Sequence, residues 1–482
     1  MYFFYGRHYF LYTVQWRNKN KWITFYLSWI MVGHLSFKLT NKRVLFFILA
    51  ISAIIVIDSN VINFYAYTNK ELPLPLKVGI FTIFSITFSI IAIVLLKVIE
   101  SYHFSSNYKQ RKAQNLVRFT AIASQFIVIA FLAVEIAQMA SVNMYNSNLT
   151  LLILFTSFVP SILFLLLLVL LLVGWFRSSK NVMIIAYANS FSIVCIYLVV
   201  STVYVNLQFT YNSEWVKAKS LHSTLVNSSV SDLALSFGVA LDALYLFSFV
   251  LVWIATVALL RQYRNKIGRT RFWVIITIPL IYFLFPFETY FANFSEAMLS
   301  GSPVIFSVIY IILFSATKQV GGVLFSIVFL TAATKIKQPN LQNSLKIAAI
   351  GIAVIFSSIE INSLLYAAYP PYGVLTIMLM PLGSYSLFIG LFASARLASQ
   401  DKKLRREFFQ SAEKQLAFLQ TIGKVQMEKE LEKSLKSILK RPSILEESGD
   451  DYRGEENVRE LVQEVIYELR LKETADKNTD AG

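Results

Sequence analysis

Long apolar runs dominate this chain. Val78–Ile99, Leu149–Val173, Val182–Val205 and Phe237–Leu260 are nearly free of charge. Each exceeds the roughly 18 residues at which a membrane span becomes the default reading. By length alone, 482 residues would allow about three soluble domains. A hydrophobic share of 56 % with only 15 % charged residues excludes that for most of the chain. The expected fold is all-α: a polytopic transmembrane helical bundle of about ten spans with a long cytoplasmic C-terminal helix.

The ten spans are expected at Val44–Phe64, Val78–Ile99, Phe119–Val142, Leu149–Val173, Val182–Val205, Phe237–Leu260, Phe272–Phe291, Val304–Thr334, Lys346–Ala368 and Val374–Ala395. Basic residues then fall on one side. Lys97, Lys109, Arg111, Lys112 and Arg118 follow the second span, and Arg261, Arg264, Lys266, Arg269 and Arg271 the sixth. Arg177 and Lys180 follow the fourth, Lys335, Lys337 and Lys346 the eighth, while Lys38, Lys42 and Arg43 precede the first. The alternate connections carry only Lys70, Lys77, Lys217 and Lys219. Basic connections stay in the cytoplasm, so both termini are expected there, in a cell membrane. Sequons at Asn148, Asn227 and Asn293 all fall in the outer connections. Tyr65, Tyr67, Tyr290, Tyr366, Tyr369 and Tyr372 gather at outer ends as interfacial anchors.

The domain plan has four parts. Residues 1–43 form a cytoplasmic or interfacial segment, in which Trp22–Phe37 is short for a span; residues 1–30 are alternatively untranslated, with Met31 as the start. The bundle occupies 44–395. Residues 396–441 form a basic amphipathic helix, and 442–482 an acidic tail with a short amphipathic stretch from Val458 to Leu469. Lys402, Lys403, Arg405 and Arg406 suit anionic lipid headgroups beside the membrane. The apolar stripe farther out calls for a partner, either a second copy of the chain or another cytoplasmic protein. The net charge of +16 belongs to the membrane part, where it reads as topology and lipid contact rather than nucleic acid.

Acidic residues at membrane depth carry the functional reading. Asp58, Glu135, Asp242, Glu288 and Glu360 all lie in the outer half of expected spans. A charge at the bilayer centre costs about 2.5–3.5 kcal/mol on insertion scales, so such groups face the bundle interior and have a task. Glu135, Gln138 and Ser141 share one helical face, as do Ser357, Glu360 and Ser363. Lys318 lies near the middle of the long eighth span, just before Gly321-Gly322, where the helix is expected to kink or unwind. The expected ligand or ion pocket therefore comprises Glu135, Gln138, Asp242, Glu288, Lys318 and Glu360. A purely structural role, with carboxyls joining helices by hydrogen bonds, stands beside it. Pro279, Pro286 and Pro381 should bend their helices.

No phosphate loop, H-E-x-x-H or G-x-S-x-G occurs, and Ser315-Ala-Thr-Lys318 lies in a span without companion motifs. The four histidines are scattered and Cys195 is the one cysteine, so neither a metal site, a cofactor nor a disulfide is expected. The stretch Ala395–Glu432 contains Ala-Arg-Leu-Ala-Ser-Gln-Asp and Ile-Gly-Lys-Val-Gln-Met-Glu-Lys-Glu-Leu-Glu. It resembles the tails of uncharacterised multi-pass membrane proteins of archaea, particularly ammonia-oxidising ones, a resemblance that implies no activity. A non-enzymatic membrane sensor or signalling scaffold is the leading expectation. Alternatives are a secondary transporter with its site at the interrupted eighth span, a membrane anchor for a cytoplasmic assembly, and an intramembrane enzyme without familiar motifs.

Overall fold

In a membrane, backbone polar groups must be satisfied within the segment itself, and this chain satisfies them with helices. The computed structural model describes residues 40–68, 73–100, 108–179, 182–210, 215–217, 231–261, 268–284, 317–334, 338–359 and 369–400. In chain order the helices are α1 (Asn41–Thr68), α2 (Leu74–Glu100), α3 (Tyr108–Val142), α4 (Ser147–Ser179), α5 (Val182–Thr210), α6 (Ser231–Arg261), α7 (Arg269–Leu284), α8 (Thr317–Thr334), α9 (Pro339–Ser358), α10 (Gly373–Ile377) and α11 (Met380–Gln400). Two short strands, β1 (Met144–Asn146) and β2 (Trp215–Lys217), pair antiparallel with Tyr145 opposite Val216.

Among the described residues, seven helical stretches are long and apolar enough to cross a membrane: Leu74–Glu100, Asn115–Val142, Ser147–Arg177, Val182–Leu207, Ser236–Arg261, Pro339–Ser358 and Gly373–Leu397. Ile83, Phe119, Val159, Phe247 and Ile281 lie exposed on outward faces. Such an apolar belt fits lipid, whereas in water it would drive aggregation. α1 occupies the first expected span, α7 overlaps the seventh, and α8 lies within the eighth. Glu288, Glu360 and the basic cluster Lys402, Lys403, Arg405 and Arg406 lie outside the described residues, as does everything before Thr40 and after Gln400.

Two helical stretches form the centre. In the 18-residue apolar windows of these stretches, 89 % of the residues in Pro339–Ser358 and 94 % in Gly373–Leu397 are buried, against 33–61 % in the other five. α9 packs on α11, α8 and α1; α11 packs also on α4, α3 and α2; and α4, α5 and α6 follow one another side by side. Glycine permits the central crossing. A Cβ on Gly351 would collide with the backbone nitrogen of Leu387, and one on Gly390 would sit 2.6 Å from the nitrogen of Ala348. Small residues at helix crossings let backbones touch, which is how helices gain packing energy where lipid removes the hydrophobic drive.

Three details differ from the sequence expectation. α8 runs unbroken through Gly321-Gly322. There the missing side chains admit the Phe249 ring on one side and the Ala353 carbonyl on the other, so the pair serves packing rather than unwinding. α9 starts at Pro339, well before Lys346, because proline suits a first helical turn. Lys346 is consequently a buried helix residue instead of part of a connection. α9 also ends at Ser358, with Ile359 as its cap; positions 360 and 363 of the expected stripe lie outside the described residues. Near Pro381 the helical run is interrupted: Met378 and Leu379 form a turn between α10 and α11. Proline has no N–H to offer the carbonyl of Ile377.

Candidate functional site

The turn joining α3 to α4 builds the site. Val142 ends α3 and Asn143 takes the left-handed conformation (φ 55°), a usual helix-ending choice for asparagine. Asn146 then caps α4, its side-chain oxygen accepting from the amide of Asn148 at 2.9 Å. Gln138 fastens the corner from the α3 side, accepting from the amide of Asn146 at 3.0 Å. This places Thr150, on the first turn of α4, beside Glu135.

Glu135 is fully buried. Thr150 donates its hydroxyl to Glu135 Oε1 at 2.6 Å, while Oε2 has no hydrogen-bond partner among the described residues. No basic side chain among them pairs with this carboxyl. The first turn of α4, with its unsatisfied amides and positive dipole end, favours a negative group there. Tyr145 of β1 is also fully buried and hydrogen-bonds Thr150. Its ring stacks on that of Tyr369 at 6.0 Å and 29°. Tyr369 donates its hydroxyl to the carbonyl of Met139, one turn beyond Glu135 on α3, at 3.4 Å. Burial, then the neighbouring Glu135, pushes the Tyr145 phenol well above its ordinary range. Burial raises that of Tyr369 to about 12.

The expected pocket is only partly gathered. Glu135 and Gln138 belong to this corner. Asp242 lies on the exposed side of α6, with α4 and α5 standing between α3 and α6. Lys318 is the second residue of α8. Asp58, like Glu135, is fully buried, on α1. Ser141 is exposed and donates to the carbonyl of Ala137, an intrahelical bond that leaves it out of the site. Sequence reasoning missed Thr150, seen only as the third residue of a sequon, and missed Tyr145; Tyr369 was read as an interfacial anchor. Their nearness to Glu135 arises from chain reversal and from a segment more than two hundred residues away, which no local spacing encodes.

Comparison with protein-family models, curated proteins and solved structures gives no match. The chemistry available to the corner is therefore read from its atoms. It offers one carboxyl oxygen without a partner, two phenols and aromatic faces, a set suited to a small polar or cationic group.

Proposed function

We propose that this protein is an integral membrane sensor or signalling scaffold of about ten spans with both termini in the cytoplasm. A ligand, small and polar or cationic, reaches the Glu135 corner from outside. The response passes along the last span to the cytoplasmic helix, which recruits a protein partner or a second copy of the chain. One observation supports this reading: Tyr369, stacked on Tyr145 and bonded to α3, lies just ahead of the buried α10–α11 stretch. A change at Glu135 thus bears directly on the start of the last span.

A second reading, secondary transport, draws support from the turn at Met378–Leu379. Interrupted helices at membrane depth are a recurring basis of transport sites.

Access separates the two. In a Cys195→Ser background, Glu135→Cys, Asp242→Cys, Lys318→Cys and Glu360→Cys are each labelled with a membrane-impermeant maleimide, in sealed and in inverted vesicles. Labelling of the Glu135 position from outside alone supports sensing. Labelling of the Lys318 or Glu360 position from both sides makes transport the better account. No labelling from either side, in folded protein, overturns both.

A further inference from the structure

A second group of unpartnered oxygens lies at the C-terminal end of α9. α9 ends inside the protein, with Ser357, Ser358 and Ile359 all buried. Two carbonyls of its last turn are already engaged: Phe356 O accepts from the Tyr245 hydroxyl at 3.2 Å, and Ser357 O from the Gln319 side-chain amide at 3.4 Å. Gln319 Oε1, Ser357 Oγ and Ser358 Oγ, by contrast, have no hydrogen-bond partner among the described residues. A buried helical serine ordinarily satisfies itself on a carbonyl three or four residues back. Ser85, Ser161, Ser344 and Ser386 do so here, while Ser157, Ser201 and Ser384 do not. What sets this group apart is its place: two of its oxygens come from the last turn of α9 and the third from the side chain bonded to that turn.

We propose that the C-terminal end of α9, together with Gln319 of α8, binds a monovalent inorganic cation of the sodium or potassium kind. Three physical facts favour a cation over any other guest. All three unpartnered atoms are oxygens, the donor type that hard cations take. The two serines stand on the last turn of α9, and Gln319 bonds a carbonyl of that turn; there the helix dipole is negative and terminal carbonyls point outward. They lie at the buried end of a helix that fits a membrane span, where helix ends and neutral oxygens replace the water shell of such ions. The donors on the page are neutral, which suits one positive charge better than two. Gly322 contributes by its size. A Cβ there would stand 3.0 Å from both Ser357 Oγ and the Ala353 carbonyl, so glycine alone lets α8 bring Gln319 to the end of α9.

The test uses the full chain in lipid nanodiscs, with unfolding followed by intrinsic fluorescence. Sodium, potassium and N-methylglucamine chlorides are compared at one ionic strength, alongside binding of radiolabelled sodium. The expected result is a saturable rise of the unfolding midpoint in sodium or potassium but not in N-methylglucamine. Ser357→Ala and Gln319→Leu should weaken apparent affinity about 10–100-fold, the range over which single partners of metal sites act. Ser358→Ala deletes one oxygen only and keeps the test open should Gln319→Leu fail to fold. Glu135→Gln should leave the ion response intact, which separates this site from the outer corner. Equal midpoints in all three chlorides overturn the proposal, as does an ion response unchanged in the serine variants. A dry cluster predicts the opposite signature: Ser357→Ala would raise the midpoint in every salt, because it removes an unsatisfied buried hydroxyl.

Discussion

Gly390 and Ala348 meet backbone to backbone, with only 2.6 Å between a notional Cβ on the glycine and the alanine nitrogen. Gly351 repeats the contact one turn along α9, against Leu387 and the carbonyl of Gly383. Neither neighbour can give way without moving a whole helix. Gly390→Ala and Gly351→Ala should each cost about 1–3 kcal/mol, the usual range for overpacking, at its upper end. Gly321 faces the ring of Phe249, which is buried against Phe283 and Phe325 but is a side chain and not a backbone, so Gly321→Ala should cost less than either crossing variant. Unfolding midpoints in one detergent give the order. A Gly321→Ala variant less stable than Gly390→Ala would contradict the backbone crossing.

The Thr150–Glu135 bond makes a sharper prediction. Thr150→Val keeps the shape and strands both carboxyl oxygens, at an expected cost of about 1–3 kcal/mol. Removing both partners, Glu135→Leu with Thr150→Val, should restore part of that stability, since no carboxyl oxygen is then stranded and only the Tyr145 phenol loses its Thr150 partner. A double-mutant cycle on unfolding free energy measures the coupling. Additive single effects would mean that the two side chains do not share the bond.

Much of the architecture is legible in the chain. Apolar length alone locates helices from Leu74–Glu100 to Ser236–Arg261, because lipid leaves the backbone little alternative. Depth was legible for Glu135, whose burial follows from what a charge costs in lipid. Partners were not. Gly321-Gly322 looks the same in a sequence whether it unwinds a helix or admits a neighbour, and only Phe249 and Ala353 decide the matter. Pro381 is informative for the reverse reason: its missing N–H acts within its own helix, whatever packs outside. Tyr369 and Tyr145 stand between these cases, since a tyrosine at a helix end serves an interface or a buried stack equally well.

The Arg118–Glu100 pair fixes a contrasting case near the other end of α3. The guanidinium donates twice to Glu100 Oε1, from Nε at 3.2 Å and from an Nη at 2.7 Å. Both side chains remain partly open, at 40 % and 35 % exposure. Pairs of this kind contribute at most about 1 kcal/mol. Arg118→Met and Glu100→Gln should each shift the unfolding midpoint little, with a coupling below that of Thr150 and Glu135. A larger coupling at Arg118–Glu100 would place this pair deeper in the energetics than its exposure implies.

Alkaline stability offers a check on the tyrosine stack that needs no ligand. An unfolded tyrosine loses its proton near pH 10, whereas burial holds Tyr369 neutral to about 12 and Tyr145 beyond its ordinary range as well. Between those limits the unfolded chain binds fewer protons than the folded one, so stability must fall as pH rises. Below pH 10 both states keep the proton and these residues add no pH dependence. Tyr369→Phe should flatten the fall, while near neutral pH it loses only the bond to the Met139 carbonyl, worth about 0.5–1.5 kcal/mol. Unfolding midpoints across the alkaline range, with tyrosinate absorbance followed in parallel, give the slopes. Identical alkaline slopes in wild type and Tyr369→Phe would show that this phenol is solvated, and would remove the stack from the link between Glu135 and the last span.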